Sequence, residues 1–256
     1  MAFFGSRIVS NLLSIKPREK TAAIILAAGN STRMGGKKSK QFMEVCGIPV
    51  LAYTLLAYQA TPEIAEIIVA ARREDFDEVA SIRREYGITK LRTVVAGGKD
   101  RQDSARRAFA KISGDIRYVA IADGARCLTT ANEISNVCAE AFRHRAASAA
   151  QRVVGTVKRT TKNGSVTETL DRNNLWEAQT PQVFHVALYA AALQKAIKEE
   201  ASYTDDNAMV EKLGCKIRLV ECSKENIKIT TPEDIRLATA IVSMRVALAE
   251  EAEAEQ

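Results

Sequence analysis

The sequence predicts an α/β protein with a Rossmann-like, mainly parallel sheet, helices on both faces and a protruding β-arm. Three observations predict it. Short, largely apolar runs at Ala23–Leu26, Ile67–Ala71, Leu91–Ala96 and Arg117–Ala122 alternate with helix-length stretches. The first of them is continuously apolar, as expected of a strand buried on both faces. Three of the four empty into small or polar segments, Gly29–Lys40, Gly97–Ser104 and Asp123–Arg126. In parallel sheets ligands bind beyond the carboxyl ends of the strands, so the three segments are expected to gather at one edge and form one site.

The elements follow in order. After the first strand, Ile48-Pro49-Val50 leads into a helical pattern at Leu51–Tyr58. A charged helix is expected over Glu74–Tyr86, another over Asp100–Lys111, and a third over Thr130–Arg143. The rhythm then breaks. Ala147–Thr160 reads as a strand, Lys162-Asn163-Gly164-Ser165 carries the Asn-Gly hairpin signal, and Val166–Leu170 alternates as a returning strand. A hairpin this polar cannot be central to a core. It is either an arm that reaches a partner or a solvent-exposed hairpin with no role. Val186–Glu200 is amphipathic, and Thr204 is a candidate N-cap for a following helix. Lys216–Glu221 reads as a strand and Asn226–Thr230 as a short edge segment. Pro232 opens a last helix running to about Ala249. The expected organisation is an N-terminal extension at 1–20, one domain at 21–249 with the arm at about 152–175, and a frayed acidic tail at 250–256.

Composition narrows the function classes. The chain has 256 residues, 46% of them apolar, with 37 basic against 31 acidic side chains. That is a soluble globular balance with ample core. A net charge of +6 suits an anionic small molecule but is too weak to argue for nucleic acid. Five cysteines without a CxxC pair, and two histidines, give no zinc pattern; free thiols in a reducing cytoplasm are expected. No run is long enough to cross a membrane, and residues 1–20 make a poor secretory signal. GxxxxGK[ST], GxGxxG after the first strand and GxSxG are all absent, which argues against P-loop enzymes, dinucleotide dehydrogenases and α/β-hydrolases.

The stretch Ala22–Met43 is the strongest local signal. A strand opens at Ala27-Ala28-Gly29 into a loop carrying Arg33, Gly35, Gly36, Lys37, Lys38 and Lys40. Small residues let backbone N–H groups approach a polyphosphate and cations neutralise it, although an ordinary surface loop fits the same residues.

Beyond that local pattern, Thr32-Arg33-Met34-Gly35 with Ser39-Lys40-Gln41-Phe42 resembles the signature of the nucleotidyltransferases that join sugar or polyol phosphates to nucleotides. A series in order carries it further: Gly97-Gly98…Arg101-Gln102-Asp103-Ser104, Asp123…Ala125-Arg126, Thr156-Val157-Lys158, Asp171-Arg172-Asn173, Trp176 through Phe184, Tyr203-Thr204-Asp205, Asn226–Thr230 and Pro232-Glu233-Asp234. Within the superfamily the series is most similar to the 2-C-methyl-D-erythritol 4-phosphate cytidylyltransferase family of the non-mevalonate isoprenoid pathway.

That resemblance implies a homodimer joining through the β-arm, CTP and a polyol phosphate as substrates, and Mg²⁺ or another divalent cation as cofactor. It assigns catalysis to Arg33, Lys40 and Lys228, and nucleotide binding to Ala27, Ala28, Gly29, Gly98, Ser104 and Arg126. Substrate binding falls to Thr156, Arg172, Thr180 and Thr204, with Lys158 also on the arm. Asp123 is the expected metal ligand, a helix cap or an ion pair with Arg126 being the other readings. A ribitol-5-phosphate cytidylyltransferase, or a non-catalytic nucleotide-binding protein of this fold, remains an alternative. The chain departs from the family's usual residues at Ala122, Gly124, Cys127, Lys99 and Ser31.

Overall fold

The computed structural model describes residues 19–29 and 39–254. Expectations that fall on residues 1–18 and 30–38 lie outside them. The core is one seven-stranded sheet in the order β11-β7-β10-β6-β1-β4-β5. Its strands are β1 (Thr21–Leu26), β4 (Ile64–Ala71), β5 (Leu91–Ala96), β6 (Tyr118–Asp123), β7 (Ala146–Arg152), β10 (Trp176–His185) and β11 (Arg218–Glu221). Two small antiparallel ladders complete the strands, β2 (Glu44–Val45) with β3 (Ile48–Pro49) and β8 (Lys158–Thr160) with β9 (Val166–Thr169). The α-helices are α1 (Val50–Ala60), α2 (Phe76–Glu85), α3 (Arg101–Phe109), α4 (Ala131–His144), α5 (Val186–Lys198), α6 (Asp206–Glu211) and α7 (Pro232–Ala254).

The period-two geometry of a strand divides β1 between two cores. Ala23, Ile25 and Ala27 pack with α1, α2 and α4 on one face. Ile24 packs with α3, α5 and α6 on the other. Ile24 and Ile25 are fully buried, each worth about 1.5–3 kcal/mol of apolar transfer. A third cluster, including Val45, Val50, Cys127, Leu128, Ile229 and Ala238, seats α7 against the loops at one end. Local signals set the helix starts. Asp100 caps α3 by accepting from Asp103 N, and Thr130 with Glu133 forms a full capping box on α4.

Strand β1 pairs parallel with both β4 and β6, and β4 pairs parallel with β5. The chain therefore builds outward from β1 through β4 to β5, then returns to the other side of β1 as β6. That reversal between β1 and β6 is the switch point at which open α/β sheets form a crevice. Leu26 and Asp123 are register partners at its mouth.

One strand was missed and four expectations are corrected. Strand β10 was not foreseen: it runs antiparallel to both β6 and β7, and Pro181 within it argues against a central strand by sequence. A register shift between Ala178 and Gln182 accommodates the proline. The expected strand Ala147–Thr160 is two strands, because β7 stops at Arg152, where its partner β10 begins at Trp176. The N-cap of α6 is Asp205, whose carboxylate accepts from Ala208 N, and not Thr204. Asn226–Thr230 joins no sheet. Helix α7 continues through the acidic residues to Ala254 rather than ending near Ala249.

The arm stands out as a separate feature. Every residue of β8 and β9 is exposed, and so are Val154 and Val166.

Candidate active site

A cavity of about 300 Å³ opens at the switch point. Ala28 and Gly29 after β1, Gly98 to Arg101 and Ser104 after β5, and Asp123 and Ala125 after β6 line it, with Lys40 and Lys228. The three polar strand ends expected to converge do so.

Small residues at the strand ends are required by contact. The N–H of Gly97 donates to Ala71 O, and a Cβ added at Gly97 would come 2.3 Å from Ala28 Cβ. The Ser104 hydroxyl accepts from Gly98 N at 2.9 Å and donates to Asp100 O at 2.8 Å, closing the turn between β5 and α3. Gly124 N donates to Leu26 O, and a Cβ there would lie 3.1 Å from that same oxygen. The departures at Ala122 and Cys127 point into apolar clusters, not into the cavity. Lys99 does line the cavity wall.

Charge is concentrated around Asp123, which is 8% exposed. Its Oδ2 lies 2.9 Å from Lys228 Nζ and 3.6 Å from Arg126 Nε, and its Oδ1 lies 3.7 Å from Arg101 Nε. Burial pushes the Asp123 carboxyl up, but Lys228, Arg101 and Arg126 outweigh it and hold its pKa below the ordinary value. Arg101 also bonds Asp206, which accepts from Tyr189 as well. Burial pulls the pKa of Arg101 down, and Asp206 and Asp123 more than restore it, leaving it raised. Lys40 reaches across the cavity mouth to Ile229 O at 2.7 Å.

The residues expected from sequence divide three ways. Ala28, Gly29, Lys40, Gly98, Ser104, Asp123 and Lys228 share the cavity. Ala27, Arg126 and Thr180 are buried behind it. Ala27 donates its N–H to Ala70 O, Arg126 donates to Asn226 O, and the Thr180 hydroxyl accepts from Asp123 N at 3.0 Å. Thr156, Arg172 and Thr204 are exposed and are not among the lining residues of this chain's cavity. The Nη1 of Arg172 donates to Val154 O, and Lys158 bonds Thr169 along the arm. Arg33 lies outside the described residues. Arg101, in contrast, lines the cavity although sequence reasoning gave it no role; its place at the start of the helix after a Gly-Gly turn was the available signal.

Among the described residues no group of three His, Cys, Asp or Glu side chains could hold a metal ion. The donor set therefore excludes an all-protein cage. The Asp123 carboxylate in this polar crevice does fit an ion such as Mg²⁺, which commonly takes one or two carboxylates and completes its shell with substrate phosphates and water.

Four lining cations around the Asp123 carboxylate, at the edge where such sheets bind nucleotides, can hold a polyphosphate and stabilise charge moving onto a departing pyrophosphate. Fold and site together define a nucleotidyltransferase. The family model for 2-C-methyl-D-erythritol 4-phosphate cytidylyltransferase matches residues 21–244, and the chain belongs to that family. It is 40% identical over 226 residues to the protein of that name from Syntrophus aciditrophicus, covering 88% of this chain and 97% of the other. The Desulforamulus reducens protein of the same name is 41% identical over 224 residues, with 87% and 96% covered. The crystal structure of the 4-diphosphocytidyl-2C-methyl-D-erythritol synthase from Anaerococcus prevotii superposes with a TM-score of 0.79 at 30% identity, covering 88% of this chain and 96% of that one. Among the described residues no helix is long and apolar enough to cross a membrane.

Proposed function

We propose that this chain transfers the cytidylyl group of CTP to 2-C-methyl-D-erythritol 4-phosphate, releasing pyrophosphate, in the cytoplasmic synthesis of isoprenoid precursors. The observation that carries the reading is the convergence of Lys40, Lys228 and Asp123 on one cavity in a chain matched to the family from residue 21 to 244. The five free cysteines accord with a reducing compartment.

The acceptor phosphate is already a nucleophile, so its oxygen attacks the α-phosphorus of CTP directly as the bond to pyrophosphate breaks. What the protein supplies is position and charge. In this reading Ala28, Gly29, Gly98 and Ser104 admit the nucleoside end. Lys40 and Lys228, with Arg33, bear on the reacting phosphates. Asp123 holds the divalent cation, which neutralises phosphate charge when bound. Arg126 and Thr180 act from behind, keeping the Asp123 turn in place. The arm's Thr156 and Arg172 hold the polyol phosphate in a neighbouring subunit's site, with Thr204 beyond the arm also on that substrate; that neither arm residue lines this chain's own cavity, and the exposure of Val154 and Val166, support a dimer joined there.

The test is product detection from CTP with methylerythritol phosphate or ribitol phosphate, beside Lys40→Ala as control. Formation of the CDP-methylerythritol at a rate roughly 10²–10³ times that of the control is expected, by analogy with deletion of a charge-stabilising donor. Faster turnover of ribitol phosphate, or an undiminished control, would overturn the assignment.

A further inference from the structure

Lys228 carries the shortest ion pair to Asp123, yet the segment that bears it has no sheet partner. A segment without a ladder must be located by individual bonds. Those bonds converge on Asn226, which is fully buried. Its N–H donates to Ser223 O at 3.1 Å. Its side-chain Nδ2 donates to Gln179 Oε1 at 3.0 Å and to Thr180 O at 3.2 Å, both in β10. Its Oδ1 accepts from Thr129 Oγ1 at 2.7 Å, and its carbonyl accepts from Arg126 Nη1. Every polar group of this residue is engaged. On the far side of Lys228, Ile229 N donates to Ala125 O and Ile229 O accepts from Lys40.

Two of the partners of Asn226 also hold Asp123. Thr180 gives its carbonyl to Asn226 and its hydroxyl to the N–H of Asp123. Arg126 gives Nη1 to Asn226 O, and its Nε faces Asp123. One buried residue, through its side-chain amide to Thr180 and its backbone carbonyl to Arg126, therefore bears on both ends of the Lys228–Asp123 pair without lining the cavity.

We propose that Asn226 is a positioning residue for the transfer reaction, setting the place of the Lys228 ammonium relative to Asp123 and so to the reacting phosphates. An Asn suits the task because it donates twice and accepts at the same point; Ala does neither, and Asp cannot donate to Gln179 and Thr180. The buried partners left behind by its removal have no water to turn to, which makes the clamp costly to lose.

The inference rests on the proposed transferase reading, so wild-type turnover with CTP and methylerythritol phosphate is measured first. An inactive wild type would sink the reading itself. With an active wild type, kcat and the KM for CTP are compared for Asn226→Ala, Lys228→Ala and the double variant, each checked for native circular dichroism. The expectation is a fall in kcat of about 30-fold or more for Asn226→Ala, with the KM for CTP changed less than about 3-fold. The double variant should be no slower than Lys228→Ala within about 2-fold, because groups acting as a unit are not additive. A merely structural asparagine predicts the opposite, either near-normal kcat in the folded variant or two losses that multiply. Should Asn226→Ala fail to fold, Thr129→Val removes the hydroxyl shared between Asn226 Oδ1 and Arg126 O, leaves the two bonds of Asn226 Nδ2 in place, and carries the same test. A loss of kcat that vanishes in the Lys228→Ala background supports the positioning role; a silent or multiplicative effect overturns it.

Discussion

Replacing Gly97 by Ala tests the geometry of the cavity wall directly. The new Cβ would stand 2.3 Å from Ala28 Cβ, where ordinary contact begins near 3.4 Å. Both atoms are fixed to backbone, so no rotamer change relieves the clash. The ends of β1 and β5 must part by about 1 Å. Ala28 lines the cavity and Gly98 is the next residue, so that movement is a movement of the site. A misplacement of about 1 Å costs about 10²-fold in rate, equivalent to about 2.7 kcal/mol of transition-state stabilisation. Overpacking adds a stability loss of about 1–3 kcal/mol. In a domain of this size each kcal/mol lowers Tm by about 2–4 °C. The assay is kcat/KM for CTP by pyrophosphate release, with Tm measured on the same preparations. Because the clash is between two named atoms, Ala28→Gly in the Gly97→Ala background should restore most of both quantities; the next contacts, Ser104 Oγ at 3.4 Å and Ala71 O at 3.6 Å, are ordinary ones. If Gly97→Ala alone keeps wild-type rate and Tm, or if the second change brings no recovery, the contact argument fails.

The arm makes a prediction in trans. Arg172→Ala should raise the KM for the polyol phosphate and leave that for CTP within about 3-fold, and mixed dimers of Arg172→Ala with Lys40→Ala chains should regain activity, since one site then combines an intact cavity with an intact arm; absence of complementation would refute a shared site. The thiols give a pH prediction. Burial pushes Cys127 up to about 11 and Cys138 and Cys222 up to about 12. With folded values above the ordinary thiol value of about 8.5, their contribution to stability is fully present below that pH and is lost as pH rises toward 11–12. Denaturant midpoints should therefore fall across that window, and a thiol reagent at pH 8 should reach exposed Cys46 first and the three buried thiols only on unfolding; five equally fast thiols would contradict the burial.

The parts of the fold legible in the sequence are those where one physical cause dominates. Continuous apolar runs marked β1, β4 and β6 because both of their faces are covered. The strand ends of the cavity were legible because close approach demands small residues at Ala28, Gly29 and Gly98. Strand β10 was hidden by conflicting signals: Pro181 and the polar residues Gln179, Thr180 and Gln182 do not form a strand pattern, yet all three polar residues are buried and hydrogen-bonded within the fold. Arg101 escaped because its meaning lies in Asp206, about a hundred positions away, which nothing local connects to it. Asn226 escaped for the same reason, its partners coming from two distant stretches of chain, 126–129 and 179–180.

The ring of cations around Asp123 also bears on how the site is held together. Three positive groups, each within 4 Å of an oxygen of one carboxylate, would repel one another strongly if nothing negative stood between them. The carboxylate serves as an internal counter-ion, keeping Lys228, Arg101 and Arg126 gathered before any nucleotide arrives. An incoming triphosphate then meets charges already assembled and has little reorganisation left to drive. In a chain where Asn replaced Asp123, the same cations would have to be drawn together at each binding event, and the loss would register first in the rate at which nucleotide is captured.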